Sequence, residues 1–174
     1  MATRKTDEER KAARRWADVD PDRSRQMALV GSKNTTPELV VRRLAHSIGA
    51  RFRLHRADLP GKPDLVFAGR RKVIFVHGCF WHGHGDPKCR RSRIPKSRVE
   101  FWTNKIARNS ARDARNETLL RERGWSVLTI WECETPVLKQ GRLVKKLEKF
   151  LRIPIGAVPS PRRKGLPKVN GTRK

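Results

Sequence analysis

Apolar and polar positions alternate between two periods along this chain, and the switches mark its elements. Thr36-Pro37-Glu38 reads as an N-cap, a first-turn proline and a first-turn acid. Leu39, Val40, Leu44 and Ile48 follow at helical spacing and Gly49 supplies a stop, so a helix is predicted over 37–48. Phe52 and Leu54 alternate with Arg51, Arg53 and His55, as in a half-exposed strand. The turn Leu59-Pro60-Gly61-Lys62-Pro63 leads into a short apolar strand over 64–68, and Gly69-Arg70 turns the chain into Lys72 to His77. That last run lacks alternation, the mark of a central strand buried on both faces. Ser97-Arg98-Val99-Glu100 matches a capping box ahead of a long charged helix that ends at Gly124. Its polar stretch, Asn104 to Asn116, reads as a solvated or phosphate-facing surface. A strand over 125–131 and an amphipathic helix over 136–151 complete the order. The expectation is one α/β domain, a central mixed sheet flanked by helices.

Charge then names the class of partner. Among 174 residues, 42 Lys and Arg outnumber 17 Asp and Glu, for a formal net charge of +25. Residues 1–26 read as a mobile N-terminal arm carrying +2, and residues 152–174 as a disordered basic tail carrying +7. The domain over 27–151 keeps the remaining +16. A fold this basic expects a polyanion. Composition alone fits a generic nucleic-acid binder equally well. No export signal or membrane-spanning run is present in the sequence, which points to the cytoplasm. Three cysteines without a secretory signal favour free thiols or metal ligation over disulfides.

Chemistry concentrates where the central strand ends, in Val76-His77-Gly78-Cys79-Phe80-Trp81-His82-Gly83-His84. Asp64 begins the adjacent strand. It could hold Mg²⁺ with the main-chain carbonyl of Val76 and phosphate oxygens, or merely cap its turn. Cys79, His84, Cys89 and Cys133 assemble into a Cys₃His set suited to a closed, structural Zn²⁺ site. Asp86 or His82 could replace one of those ligands. His82 and His77 would then be free for general-base work. Phe80 and Trp81, between glycines, and Trp102 at the start of the long helix are candidate wedges for a base step. Arg90, Arg91, Arg93, Lys96 and Arg98 are candidate phosphate contacts.

The strings Leu59-Pro60-Gly61-Lys62-Pro63-Asp64, Phe75-Val76-His77-Gly78-Cys79-Phe80-Trp81-His82, Arg98-Val99-Glu100-Phe101-Trp102, Gly124-Trp125-Ser126-Val127-Leu128 and Trp131-Glu132-Cys133 occur in that order. Together they resemble the Vsr very-short-patch-repair endonucleases over roughly residues 25–135. The resemblance implies a fold related to type II restriction enzymes, one bound zinc, and Mg²⁺-dependent nicking of double-stranded DNA beside a T·G mismatch. By position it makes Asp64 the Mg²⁺ carboxylate, His82 the base, His77 a phosphate-side partner and Glu38 a supporting acid. Cys79, His84 and Cys133 would hold zinc, and Phe80, Trp81 and Trp102 would enter the DNA. Two departures stand out: Asp86 occupies the place of the family's third zinc ligand, with Cys89 further on, and Val76 replaces a polar residue. A monomer in the bacterial cytoplasm, associated with the nucleoid and with mismatch-repair proteins as possible partners, is the expected setting. The alternatives are a nicking nuclease of restriction or defence without mismatch preference, and a zinc-stabilised DNA-binding module without catalysis.

Overall fold

A computed structural model describes residues 33–152. The expected N-terminal arm lies outside the described residues, as does the expected tail apart from Arg152. The elements are α1 (Thr36–Ser47), β1 (Arg53–Leu54), β2 (Leu65–Phe67), β3 (Lys72–His77), α2 (Val99–Glu122), β4 (Ser126–Trp131) and α3 (Gln140–Leu151). Among the described residues they make one mixed sheet in the order β1-β2-β3-β4. β1 and β2 pair antiparallel, as do β2 and β3, while β3 and β4 run parallel across the crossover helix α2. No helix among the described residues is long and apolar enough to cross a membrane.

β3 is central, as its unbroken apolar run foretold, and its residues supply both sides of the sheet. Leu65, Ile74, Val76 and Ile130 pack with α1 and α3 through Val41, Ala45, Leu143, Leu147 and Leu151. On the opposite face Val66, Val73 and Val127 pack with Leu59 and with Leu120 of α2. Each of these large side chains, once buried, contributes about 1.5–3 kcal/mol. The two layers hold the end of β3 from both sides, so the residues just beyond it are positioned by well-packed structure.

Both predicted glycine stops are realised. Gly49 and Gly124 adopt φ of 76° and 74°. The amides of Ala50 and Trp125 reach back to the carbonyls of Ala45 and Leu120 while those of Gly49 and Gly124 bond His46 and Arg121. These paired bonds satisfy the last carbonyls of α1 and α2. Three expectations need correction. The capping box at Ser97 does not form: Arg98 is the N-cap, in the left-handed region at φ 55°, with no side-chain cap bond. Its guanidinium lies 4.7 Å over the Phe101 ring instead. The last helix starts at Gln140, later than the predicted 136, because residues Val137–Lys139 form a separate 3₁₀ turn. The stretch 104–116 is not wholly a solvated face, since part of it clasps the loop after β3.

Candidate functional site

Parallel register explains how distant cysteines meet. His77 of β3 pairs with Trp131 of β4, so the two strands end side by side. Two residues beyond each partner stand Cys79 and Cys133. The loop after β3 then winds tightly, with the His84 amide bonding the Cys79 carbonyl at 3.0 Å and the Cys89 amide bonding the Asp86 carbonyl at 2.9 Å. As a result Cys79, His84, Cys89 and Cys133 bring one ligand atom each within 4.8 Å of one another. His84 Nδ1 lies 3.6 Å from Cys133 Sγ, and its ring stacks on Trp131 at 4.3 Å. Asp86 is turned elsewhere: its carboxylate accepts the Lys88 amide at 2.9 Å. The geometry therefore selects Cys89 over Asp86 as the fourth member.

This donor set fits a cation with tetrahedral sulfur and nitrogen ligands. Metal–sulfur bonds of about 2.3 Å would space such donors about 3.8 Å apart, which needs only a slight contraction here. Burial pushes the Cys79 thiol up to about 12. Burial acts on Cys89 in the same direction, but hydrogen bonds, first from His84, bring it down to about 6. Crowded thiols with such opposed tendencies suit a cation that stabilises all of them as thiolates.

The second cluster sits where β2 begins. Asp64 Oδ2 accepts the Val76 amide at 2.7 Å, which ties the carboxylate to the end of β3. Its Oδ1 lies 3.8 Å from His55 Nδ1. Glu38, buried on α1, accepts from Arg42 at 2.8 Å, and the same Arg42 nitrogen lies 2.9 Å from His55 Nε2. A guanidinium only donates, so Nε2 accepts and the ring proton of neutral His55 belongs on Nδ1, the nitrogen nearer Asp64. Burial pushes the Asp64 carboxyl up to about 6; the Val76 amide opposes this and the neighbouring Glu38 charge adds to it. Two carboxylates crowded in partial burial attract a hard divalent cation, which relieves both penalties.

His77 forms the third cluster. Its ring stacks on His82 at 3.9 Å and 9°, and His82 Nδ1 lies 2.5 Å from Asp113 Oδ2. Since the carboxylate accepts, Nδ1 carries the proton and Nε2 of neutral His82 keeps a lone pair. Burial, then the charge of His82, pushes His77 down to about 4, so it is neutral at physiological pH. The Asp113 carboxyl would rise through burial, but its hydrogen bond from His82 lowers it on balance. α2 clamps this loop further: Asn109 Nδ2 donates to the Trp81 carbonyl at 2.9 Å, and Ser110 Oγ to that of His82 at 3.1 Å. Gly83, at φ 65°, lets the loop lie against α2, because a Cβ there would stand 2.8 Å from Ile106 Cγ2.

Asp64 is thus anchored to the Val76 amide, while the ring of His77 belongs to the neighbouring cluster. The expected sharing of one sheet end holds. The imidazole beside Asp64, however, is His55, whereas His82 pairs with Asp113. Sequence reasoning missed both His55 and Asp113. His55 read as the outward member of an alternating strand. Asp113 was one acid in a charged helix, although Ile106, Ser110 and Asp113 share a helical row that marks an inward face.

Phe80, Trp81 and Trp102 meet edge to face with centroids 5.1–6.0 Å apart, all half-buried. Of the candidate phosphate contacts, Arg90, Arg93 and Lys96 are exposed. Arg91 lies 3.8 Å from Glu132, and Arg98 is half-buried over Phe101.

A family model described as DNA mismatch endonuclease Vsr matches residues 18–90. The chain is 54% identical over 134 residues to the type II nicking enzyme V.XorIIP of Xanthomonas oryzae pv. oryzae, covering 76% of this chain and 95% of that protein. The chain belongs to the Vsr family. Against the DNA mismatch endonuclease Vsr of Escherichia coli the identity is 39% over 132 residues, 74% of this chain and 83% of that one. The type II nicking enzyme V.NmeAIP of Neisseria meningitidis is 44% identical over 112 residues, 64% of this chain and 78% of that relative. Membership in the Vsr family makes this a DNA endonuclease, and DNA is the polyanion that its charge called for.

Proposed function

We propose that this Vsr-family endonuclease nicks one strand of duplex DNA beside a T·G mismatch, by Mg²⁺-dependent hydrolysis that begins very short patch repair in the bacterial cytoplasm. The observation that carries the reading is the meeting of two chemistries at one sheet end: a clustered carboxylate pair beside the start of β2 and an oriented imidazole pair at and just beyond the end of β3. Asp64, with the Val76 carbonyl, would hold the cation, and Glu38 supports the site from α1. Bound there, Mg²⁺ supplies charge stabilisation at the phosphoryl and leaving oxygens.

The residues do the remaining work. His82 takes the proton of the attacking water at Nε2, and Asp113 fixes the tautomer that leaves this nitrogen basic and stabilises the imidazolium as it forms. His77, neutral and stacked against His82, can donate a hydrogen bond to a phosphate oxygen without adding charge beside the base. Cys79, His84, Cys89 and Cys133 would hold a structural Zn²⁺, which would fix the loop carrying Phe80, Trp81 and His82. The aromatic trio then opens a base step, which is least costly at a weak pair.

Nicking without mismatch preference, in restriction or defence, is a second reading, favoured by the relatives that carry type II nicking names. Cleavage by wild type and Asp64→Ala is compared on matched and T·G duplexes, with Mg²⁺ and with chelator. The first reading expects cleavage by wild type only, with Mg²⁺ only, and faster at T·G. Equal rates on both duplexes establish the second, and cleavage retained by Asp64→Ala removes that residue from the mechanism.

A further inference from the structure

A cleft of about 370 Å³ lies between the loop before Asp64 and the C-terminal half of α2. Arg112, Arg115, Asn116, Leu119 and Arg123 line its helical wall. Their spacing follows the helical repeat, so one stripe of α2 presents three guanidiniums around an apolar step. Arg112 is bonded to Asp113 at 3.2 Å. Arg115 and Arg123 have no acidic partner among the described residues. The one carboxylate in the lining, Asp58, is engaged by Arg56, whose Nε donates to it at 2.9 Å. The cleft therefore carries uncompensated positive charge beside the apolar groups of Leu59, Pro60 and Leu119.

We propose that this cleft is a sugar–phosphate subsite, holding the backbone of a DNA strand that runs from the His82–Asp113 pair along α2. Arg115 and Arg123 contact phosphates, and the leucine and proline carbons take the face of the deoxyribose. Three observations favour a defined subsite over a diffusely basic surface. The site is concave and sets apolar groups among its guanidiniums, whereas unstructured phosphate attraction needs neither. Its walls are fixed to one another: at Gly61 (φ 73°) a Cβ would lie 3.0 Å from Asn116 Nδ2 and 3.1 Å from Phe75 Cζ, so the loop is pressed onto α2. And the same walls lead to both candidate clusters, the loop to Asp64 and the helix to Asp113. From Arg112 to Arg123 the helix advances about 16 Å, long enough to follow several phosphates of one strand. Such contacts set register without reading sequence, and would align the scissile bond.

The proposal rests on the endonuclease reading, and its test separates the two. Binding of a short duplex is measured against salt concentration, without divalent metal, for wild type, Arg115→Gln, Arg123→Gln, the double variant and Arg142→Gln on exposed α3 as a charge-matched control. Each phosphate contact contributes about 0.9 to the slope of log K against log salt. Each cleft variant should flatten the slope by about 0.9 and the pair by about 1.8, with melting temperature and the Arg142→Gln slope as in wild type. A double variant whose slope matches the control overturns the cleft while leaving nuclease activity standing. Leu119→Glu, which places an anion in the cleft lining, should weaken binding at least as much as either arginine change; unaltered affinity there also overturns the subsite. A wild type that binds but never cleaves once Mg²⁺ is added overturns the endonuclease reading independently of the slopes.

Discussion

The thiol cluster and the Asp64 cluster are built from opposite materials near the same end of the sheet. Cys79, His84, Cys89 and Cys133 form a closed set of soft donors gathered around converging strand ends. Asp64, Glu38 and His55 form an open set in which one imidazole nitrogen faces Arg42 and oxygen is the available donor. A closed tetrahedral set leaves no position for substrate and serves structure; a carboxylate pair leaves most of a cation's shell to phosphate and water. On the proposed function, donor chemistry and completeness divide the labour: the thiol cluster would fix the loop, and the carboxylate cluster would meet DNA.

The largest effect that could break this division is at Asp64. Asp64→Ala should lower Mg²⁺-dependent nicking on the order of a thousandfold, with bound zinc unchanged, as measured by single-turnover cleavage and elemental analysis. A parallel loss of zinc would show that the clusters are not separable. Cys133→Ser should instead reduce zinc content and lower the melting temperature by about 10 °C or more, read by elemental analysis and thermal denaturation. Unchanged zinc content would remove Cys133 from the ligand set.

The His82–Asp113 pair sharpens the comparison on the catalytic side. Asp113→Asn should cut the chemical step by about a hundredfold while leaving zinc in place. It should also change acid stability. The Asp113 carboxyl is lowered in the folded protein, so it contributes stability above its ordinary titration range that is lost as pH falls through the folded value. The stability gap between wild type and Asp113→Asn, measured by denaturant unfolding, should therefore close on acidification. A gap independent of pH would detach Asp113 from His82. Smallest is Gly83→Ala, expected to cost about 1–3 kcal/mol by crowding Ile106 and straining a positive φ. Retained stability would mean that the loop is not clamped by α2.

Legibility in the sequence tracked how local the cause was. Glycine stops at Gly49 and Gly124 and the apolar run of β3 are local, and they marked their elements. The thiol set was readable because cysteines are few and register does the rest: Cys79 and Cys133 each follow paired strand ends. Ser97 misled because the left-handed Arg98 breaks the geometry that a capping box requires. Asp113 and His55 act through partners 31 and 9 positions away respectively, His82 and Asp64, which no local pattern encodes. The grouping of Phe80, Trp81 and Trp102 was legible; their mutual edge-to-face packing required the fold.

The most direct test of the division between a structural and a catalytic cation is metal restoration. Protein is dialysed against a chelator mild enough to retain tightly held zinc, its zinc is counted, and nicking of a T·G duplex is followed on adding Mg²⁺ alone. The account expects about one zinc per chain throughout, no cleavage before addition and full cleavage after it. Cleavage without Mg²⁺, or cleavage that returns only when zinc is supplied, would contradict it.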